Sequence, residues 1–169
     1  MAKMPVQRPG QSKQNYATPM DFITATKNFL GIDQFGFDFA AERPTAKAKQ
    51  YFTKEDDALS SRWTWADQLA PDSWGWLNPP FSQISPWAKK CHELAEYKGR
   101  RGRVAFLVPA AVGSNWYRDY VHKKCLVLAL NGRLAFITGK PKLLYPKDCI
   151  LCLYGPDFAP GFDVWSWKD

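Results

Sequence analysis

The order of apolar and polar residues along the chain predicts helices alternating with strands. Between Thr18-Pro19 and Gly31, apolar residues recur at helical spacing over positions 22–30. A threonine can cap a helix, a proline suits its first turn, and a glycine commonly ends it. We therefore predict a helix between these signals. The same reasoning predicts a helix from about Pro86 to Tyr97, capped by Ser82 or Ser85, and a short helix over Trp116–His122.

Short apolar runs bounded by turn residues predict the strands. They are Phe35–Ala41, Trp74–Leu77, Val104–Pro109, Cys125–Leu130 and Asp148–Tyr154. The pair Asn131-Gly132 is a strong hairpin signal, so we predict that Arg133–Thr138 folds back on the strand before it. Residues 58–69 fit either a short helix or an irregular loop, and the aromatic tail after Pro156 is predicted to be irregular.

This succession predicts an α/β fold with a mostly parallel sheet and a C-terminal antiparallel hairpin. The chain has 169 residues, which suffices for one core. We expect residues 1–15, which are polar and basic, to form a flexible arm, and residues 16–169 to form a single domain.

Charge and cysteine content narrow the classes of partner. A net charge of +7 and a pI near 9.3 favour a polyanionic partner such as nucleic acid. We find no signal peptide and no apolar run of membrane length, so we expect a cytoplasmic protein with reduced thiols and no membrane contact. Cys149 and Cys152 have neither a second cysteine pair nor a suitably spaced histidine, so we expect no metal site.

The tetrapeptide Asn78-Pro79-Pro80-Phe81 carries the most specific chemical signal. It follows the short apolar strand Trp74–Leu77 and precedes a helix. Side chains just beyond such strand ends face the ligand crevice of an open α/β sheet. A Pro-rich turn with a chance asparagine is the structural alternative, and the position between strand and helix argues against it.

An exocyclic amine of a nucleic-acid base is the group this motif suits. Its lone pair is conjugated with the ring, and acceptors on its two protons make that electron density available for attack on a methyl donor. The Asn78 side-chain oxygen and the Pro79 carbonyl can supply the two acceptors. The Phe81 ring can stack on the base, which contributes about 1–3 kcal/mol. No strong base is needed, and the chain shows no histidine or cysteine in a catalytic pattern.

The chain resembles the phage-type (Dam-like) DNA N6-adenine methyltransferases over roughly residues 16–156. The matching segments are Thr18-Pro19, Asp38–Ala41, Tyr51–Leu59 with Trp63 or Trp65, Asn78–Ser82 with Trp87, Val104–Pro109, Gly132–Phe136 and Cys149–Gly155. The combination of Asn-Pro-Pro-Phe with Tyr-Phe-Thr-Lys-Glu-Asp-Asp-Ala-Leu points to this family.

The resemblance implies a reduced Rossmann-like fold with S-adenosylmethionine as methyl donor and DNA as substrate. It assigns Asn78, Pro79, Pro80 and Phe81 to catalysis. It implies donor contacts at Thr18, Pro19, Asp38, Ala40, and Asp56 or Asp57. Asp38 would bind the donor's ammonium group, and one of the two adjacent aspartates would bind its ribose or adenine. Ala40-Ala41-Glu42 stands where many methyltransferases have a glycine-rich loop.

The chain is too short for a separate DNA-recognition region, so we expect short or relaxed sequence specificity. Candidate DNA contacts are Ser114, Asn115, Trp116, Arg118, Arg100, Arg101, Arg103, Lys140 and Lys142. Two other interpretations remain open. One is a methyltransferase that acts on an RNA base amine or a protein glutamine. The other is an inactive decoy that binds DNA or the donor without turnover. Oligomeric state and recognition sequence do not follow from the sequence.

Overall fold

The computed structural model describes residues 17–98, 101–136 and 143–169, and in these ranges it contains three helices and eight strands. The helices are α1 (Met20–Leu30), α2 (Ser85–Glu96) and α3 (Asn115–Tyr120). The strands are β1 (Phe37–Asp38), β2 (Trp74–Leu77), β3 (Arg103–Pro109), β4 (Leu126–Leu130), β5 (Ala135–Phe136), β6 (Leu143–Leu144), β7 (Cys149–Tyr154) and β8 (Gly161–Trp165). Short 3-10 turns cover Arg43–Thr45, Lys54–Asp56 and Trp65–Gln68. The predicted basic arm lies outside the described residues.

Six strands form one mixed sheet in the order β1-β2-β3-β7-β4-β8. β1, β2 and β3 are parallel neighbours, and β8 runs parallel to β4. β7 is antiparallel to both of its neighbours, β3 and β4. Five strands therefore point one way and one points the other, which confirms the predicted α/β class with a mostly parallel sheet.

The predicted C-terminal hairpin is wrong in its pairing. β4 is occupied on both edges, by β7 and by β8, so the segment after Asn131-Gly132 cannot pair with it. β5 instead pairs with β6 in a separate two-stranded sheet. All six residues of β7 are buried between β3 and β4. The burial of this apolar strand stabilises the fold more than a local hairpin after Asn131-Gly132 would. The tail after Pro156 is likewise not irregular, since it forms β8.

The helices divide between the two faces of the sheet. α2 and α3 pack on one face, where their buried residues join Phe39, Trp65, Phe106 and Tyr154 in one apolar cluster. α1 packs on the other face, where Phe22 contacts Trp76 and the C-terminal Trp167. The inner strands β2, β3 and β7 are therefore covered by apolar side chains on both faces, as their near-continuous hydrophobic sequences require, whereas the edge strand β8 is largely exposed.

The helix boundaries agree with the prediction, but the predicted caps do not. α1 ends at Gly31, which adopts the left-handed conformation with φ of 67°. Its N-cap is Pro19, and the hydroxyl of Thr18 bonds to another element. The N-cap of α2 is Ile84, so neither Ser82 nor Ser85 caps that helix. Pro86 in the first turn accounts for its start, because proline loses no hydrogen bond there.

Residues 48–52 extend the sheet beyond β1, which the sequence did not predict. Bridges join Phe35 to Ala48 and Asp38 to Tyr51 in parallel fashion. The amide of Phe52 also donates to the Asp38 carbonyl at 2.9 Å. This added edge brings the acidic segment after residue 52 towards the carboxyl end of β1.

Candidate active site

A cavity of about 610 Å³ opens at the carboxyl ends of β1 and β2. The two strands are parallel neighbours with Asp38 opposite Trp76, so Asp38 and Asn78 lie at the same edge of the sheet. A volume of this size accommodates a nucleoside-sized ligand. Six of the predicted site residues line it: Thr18, Asp38, Ala40, Asp57, Asn78 and Pro80.

Asp38 is a buried carboxylate on the cavity wall, with 3% of its surface exposed. Its Oδ2 accepts from the amide of Lys47 at 2.9 Å, and its Oδ1 accepts from the amide of Ala40 at 3.2 Å. Burial raises the pKa of Asp38 to about 6, against the opposing effect of these two hydrogen bonds and the Lys47 charge. A cation bound in the cavity would therefore stabilise the ionised form.

The structure separates the two adjacent aspartates that the sequence left as alternatives. The Asp56 carboxylate bonds within its own 3-10 turn. It accepts from the Thr53 amide at 2.7 Å and from the Thr53 hydroxyl at 3.0 Å. These bonds lower the pKa of Asp56. Asp57 instead lines the cavity, from a backbone position with φ of 51°. Asp57 is thus the better placed partner for a ligand hydroxyl pair.

Asn78 and Thr18 are joined across the cavity wall. The Asn78 Nδ2 donates to Thr18 Oγ1 at 2.9 Å, and Thr18 is 1% exposed. Thr18 lies just before α1, so the start of that helix fixes one side of the amide. An amide that donates from its nitrogen on one side presents its carbonyl oxygen on the other.

The rest of the tetrapeptide divides between core and surface. Pro79 is buried, Pro80 is exposed on the cavity wall, and Phe81 is half-buried. Phe81 packs edge to face against Phe136 and Tyr145, with centroid distances of 6.2 and 5.6 Å. The β5–β6 sheet therefore supports the Phe81 ring from one side. This support was not predicted from the sequence, because the basic and proline residues around Tyr145 are typical of a loop.

Further residues on the cavity wall were also missed as site residues. They are Ala17, Phe39, Ala41, Glu42, Thr45, Lys47, Thr53, Lys54, Ala58, Leu59, Trp76 and Trp87. Most of them come from the segment that follows β1, which is brought to the cavity by the unpredicted edge at residues 48–52. Pro19 and Asp56 lie next to wall residues in sequence without lining the cavity themselves.

The first group of predicted DNA contacts surrounds the start of α3. β3 is parallel to β2, so the segment after Pro109 emerges at the same edge as Asn78. The Ser114 hydroxyl caps α3 by accepting from the Tyr117 amide at 3.4 Å. Asn115 is exposed and Trp116 is half-buried. Arg118 is exposed and pairs with Asp119 at 2.7 Å.

The second group of predicted DNA contacts is not brought to this edge. Arg103 begins β3 at the opposite end of the sheet, where it pairs with Asp157 and, at 3.1 Å, with Asp72. Arg101 is exposed and precedes the same strand. Arg100, Lys140 and Lys142 lie outside the described residues.

Residues 17–98, 101–136 and 143–169 contain neither a membrane-spanning helix nor a metal-binding cluster. No helix there is both long and apolar enough to cross a membrane. No cluster of three or more His, Cys, Asp or Glu residues there could hold a metal ion. The four cysteines are buried and free.

Comparison with known proteins gives one family match and two similar phage proteins. The family model described as DNA N-6-adenine-methyltransferase (Dam) matches residues 6–146. A protein of Escherichia phage T1 named DNA N-6-adenine-methyltransferase is 22% identical over 147 residues, which cover 78% of this chain and 57% of that protein. A protein of the same name from Haemophilus phage HP1 (strain HP1c1) is 24% identical over 148 residues, which cover 85% of this chain and 80% of that protein. The chain thus spans little more than half the length of the T1 protein.

Proposed function

The chain belongs to the DNA N-6-adenine-methyltransferase (Dam) family, and from that premise we propose that it methylates the N6 amine of adenine in DNA with S-adenosylmethionine as donor. The observation that carries this proposal is the position of Asn78 and Pro80. Both stand on the wall of a cavity that also contains the buried carboxylate of Asp38. An amine-polarising motif therefore adjoins a site for a cationic ligand.

The residues of the cavity fit the chemistry of this donor. Asp38 would hold the ammonium of its amino-acid end, since a buried carboxylate needs a cation. Asp57 would accept hydrogen bonds from the two ribose hydroxyls. The half-buried Trp87 on the wall would offer apolar surface to the adenine ring. When bound, the donor supplies an electrophilic methyl group on a sulfonium.

The chain's own residues would prepare the amine to accept that group. The Asn78 side-chain oxygen accepts a hydrogen bond from one amine N–H and the Pro79 carbonyl accepts one from the other, which localises the nitrogen lone pair. The Thr18 hydroxyl accepts a hydrogen bond from the Asn78 side-chain nitrogen, which directs the Asn78 side-chain oxygen away from Thr18. Formation of the nitrogen–carbon bond would break the carbon–sulfur bond of the donor, whose electron pair would stay on sulfur as a neutral thioether. The nitrogen would then lose its extra proton to water.

The target adenine must leave the duplex, because its amine is otherwise paired. Phe81 would stack on the extruded base, with Phe136 and Tyr145 fixing the plane of its ring. Exposed residues at the start of α3, above all Asn115, would contact the flanking strand. We further propose short or relaxed specificity, and a methylation map that showed one long recognition sequence would argue against it.

The decisive experiment compares wild type with Asn78→Ala, using labelled donor, unmethylated DNA and nucleoside analysis of the product. We expect N6-methyladenine from wild type and a loss of at least roughly 100-fold in kcat for Asn78→Ala, the effect of removing one preorganised polar group. Asn28→Ala, on the exposed side of α1, is the matched control and should keep full activity.

Two results would contradict the proposal. If Asn78→Ala stays as active as wild type, the motif does not act on the amine. If the donor binds but no DNA is methylated, the same labelled assay with RNA and with protein separates an altered substrate from an inactive decoy.

A further inference from the structure

Lys47 is a charged residue of the cavity wall that the proposed mechanism does not use. Its backbone amide donates to Asp38 Oδ2, so its backbone lies directly beside that carboxylate. Its side chain is half-buried and lines the same cavity. Its Nζ lies 3.7 Å from the Met20 sulfur. The lysine is therefore held between the start of α1 and the end of β1.

The Lys47 ammonium is poorly compensated where it stands. Burial lowers its pKa, against the opposing effect of the Asp38 charge. Its hydrogen bond to Met20 ends on a thioether, which is a weak acceptor. Because burial has removed part of its hydration and its hydrogen bond ends on a thioether, this ammonium would be stabilised strongly by an anion that enters the cavity.

The donor offers such an anion next to its ammonium. An α-amino acid carries both charges on one carbon, so a site that binds it needs an acidic and a basic group side by side. Asp38 and Lys47 are such a pair. Lys54 also lines the cavity, but it lies on the exposed turn next to Asp57, away from this pair in the chain.

We propose that Lys47 binds the carboxylate of the donor's amino-acid end while Asp38 binds its ammonium, which makes Lys47 a determinant of donor selectivity. The inference rests on the proposed identity of the donor. It assigns Lys47 a role that a purely structural partner of Asp38 would not have, because only a carboxylate contact discriminates between ligands with and without that group.

The test is calorimetric binding of S-adenosylmethionine and of its decarboxylated analogue to wild type, Lys47→Met and Lys47→Arg. We expect wild type to prefer the intact donor, and Lys47→Met to bind it roughly 10- to 100-fold more weakly, the effect of one charged hydrogen bond. The decarboxylated analogue should bind Lys47→Met and wild type with affinities within about twofold of each other, because it has no carboxylate that Lys47 could bind. Lys47→Arg should keep the preference. Lys49→Met is the control, since Lys49 is exposed and lies off the cavity wall.

Two outcomes overturn the inference and leave the proposed function standing. Equal weakening of both ligands by Lys47→Met would mark a structural role beside Asp38, and unchanged binding of both would show that Lys47 does not contact the donor. Failure of wild type to bind either ligand would overturn the donor identity itself, and the inference with it. Selective loss of the intact donor, with no DNA methylated by wild type, would support the inference and reject the DNA substrate.

Discussion

At the scale of the residue, burial makes the ionised form of Asp38 costly. Its pKa is about 6 in the folded chain against the ordinary 3.8, and burial is the cause. A carboxyl whose pKa is higher when folded binds more protons in the native state between those values. Its contribution to stability is therefore full below about pH 4 and is lost as the pH rises through 6.

We predict a pH dependence of unfolding that belongs to this one side chain. The free energy of unfolding of wild type, taken relative to Asp38→Asn, should fall by about 2 kcal/mol between pH 4 and pH 7, which is the part of the shift from 3.8 to about 6 that titrates in this range. Denaturant titrations of both proteins without donor measure it.

Taking the difference between the two proteins cancels the contribution of the other acids to the pH dependence, and several of these acids have lowered pKa values. Asparagine also loses one of the two backbone bonds that Asp38 accepts, but that loss does not depend on pH. A difference that stays constant from pH 4 to pH 7 would show that Asp38 does not titrate in this range.

The residues of the site differ in how far the sequence predicts them. Asn78 could be placed because it follows an apolar strand, whose carboxyl end faces the ligand crevice. Asp38 was assigned to the site only through the family resemblance. Asp56 and Asp57 could not be separated, since the direction of each side chain depends on a single turn. Lys47 carried no signal at all, because its position depends on an edge of the sheet made by isolated bridges.

At the scale of the element, strands with long apolar runs were predictable and pairing was not. Trp74–Leu77 and the helix 85–96 lie close to where the pattern places them. The turn signal at Asn131-Gly132 describes only local geometry. It says nothing about β7 and β8, which arrive later in the chain and take both edges of β4.

A glycine in β2 links strand packing to the site. A Cβ on Gly75 would lie 2.6 Å from Phe39 Cε2 and 3.4 Å from the Arg103 carbonyl oxygen. Phe39 cannot retreat, because it is fully buried and stacks on Trp65 at 4.0 Å. It also follows Asp38 directly, so its displacement would move the cavity wall.

We predict that Gly75→Ala lowers the free energy of unfolding by about 1–3 kcal/mol, the usual effect of overpacking a core. Donor affinity should fall with it, since Phe39 also lines the cavity. Denaturant unfolding and calorimetry measure the two effects. Gly113→Ala is the matched control, because a Cβ there meets nothing within 4 Å. Equal stability of the two variants would show that Phe39 adapts.

At the scale of the whole molecule, the sheet lies between the two apolar clusters, and β7 is one of its inner strands. All six residues of β7 are buried, and they pair with β3 on one side and β4 on the other. Removal of this strand would open the sheet between β3 and β4 and expose both clusters.

We predict that a chain ending at Asp148 shows no cooperative thermal transition, because it lacks the strand that joins the two parts of the sheet. A chain ending at Trp167 should melt close to wild type, since only exposed Lys168 and Asp169 are lost and the Trp167 bond to the Gly132 carbonyl remains. Near-ultraviolet circular dichroism during heating distinguishes them. A sharp transition in the shorter chain would contradict the prediction.

The late position of β7 in the chain also has a consequence for synthesis in the cell. Translation proceeds from the N-terminus, so β3 and β4 leave the ribosome before the strand that belongs between them has emerged. Their facing edges then carry unpaired backbone groups, which can pair with other chains. The six-stranded sheet must therefore remain incomplete until residue 154 has emerged, and slow emergence of β7 would lengthen the period in which the nascent chain can aggregate.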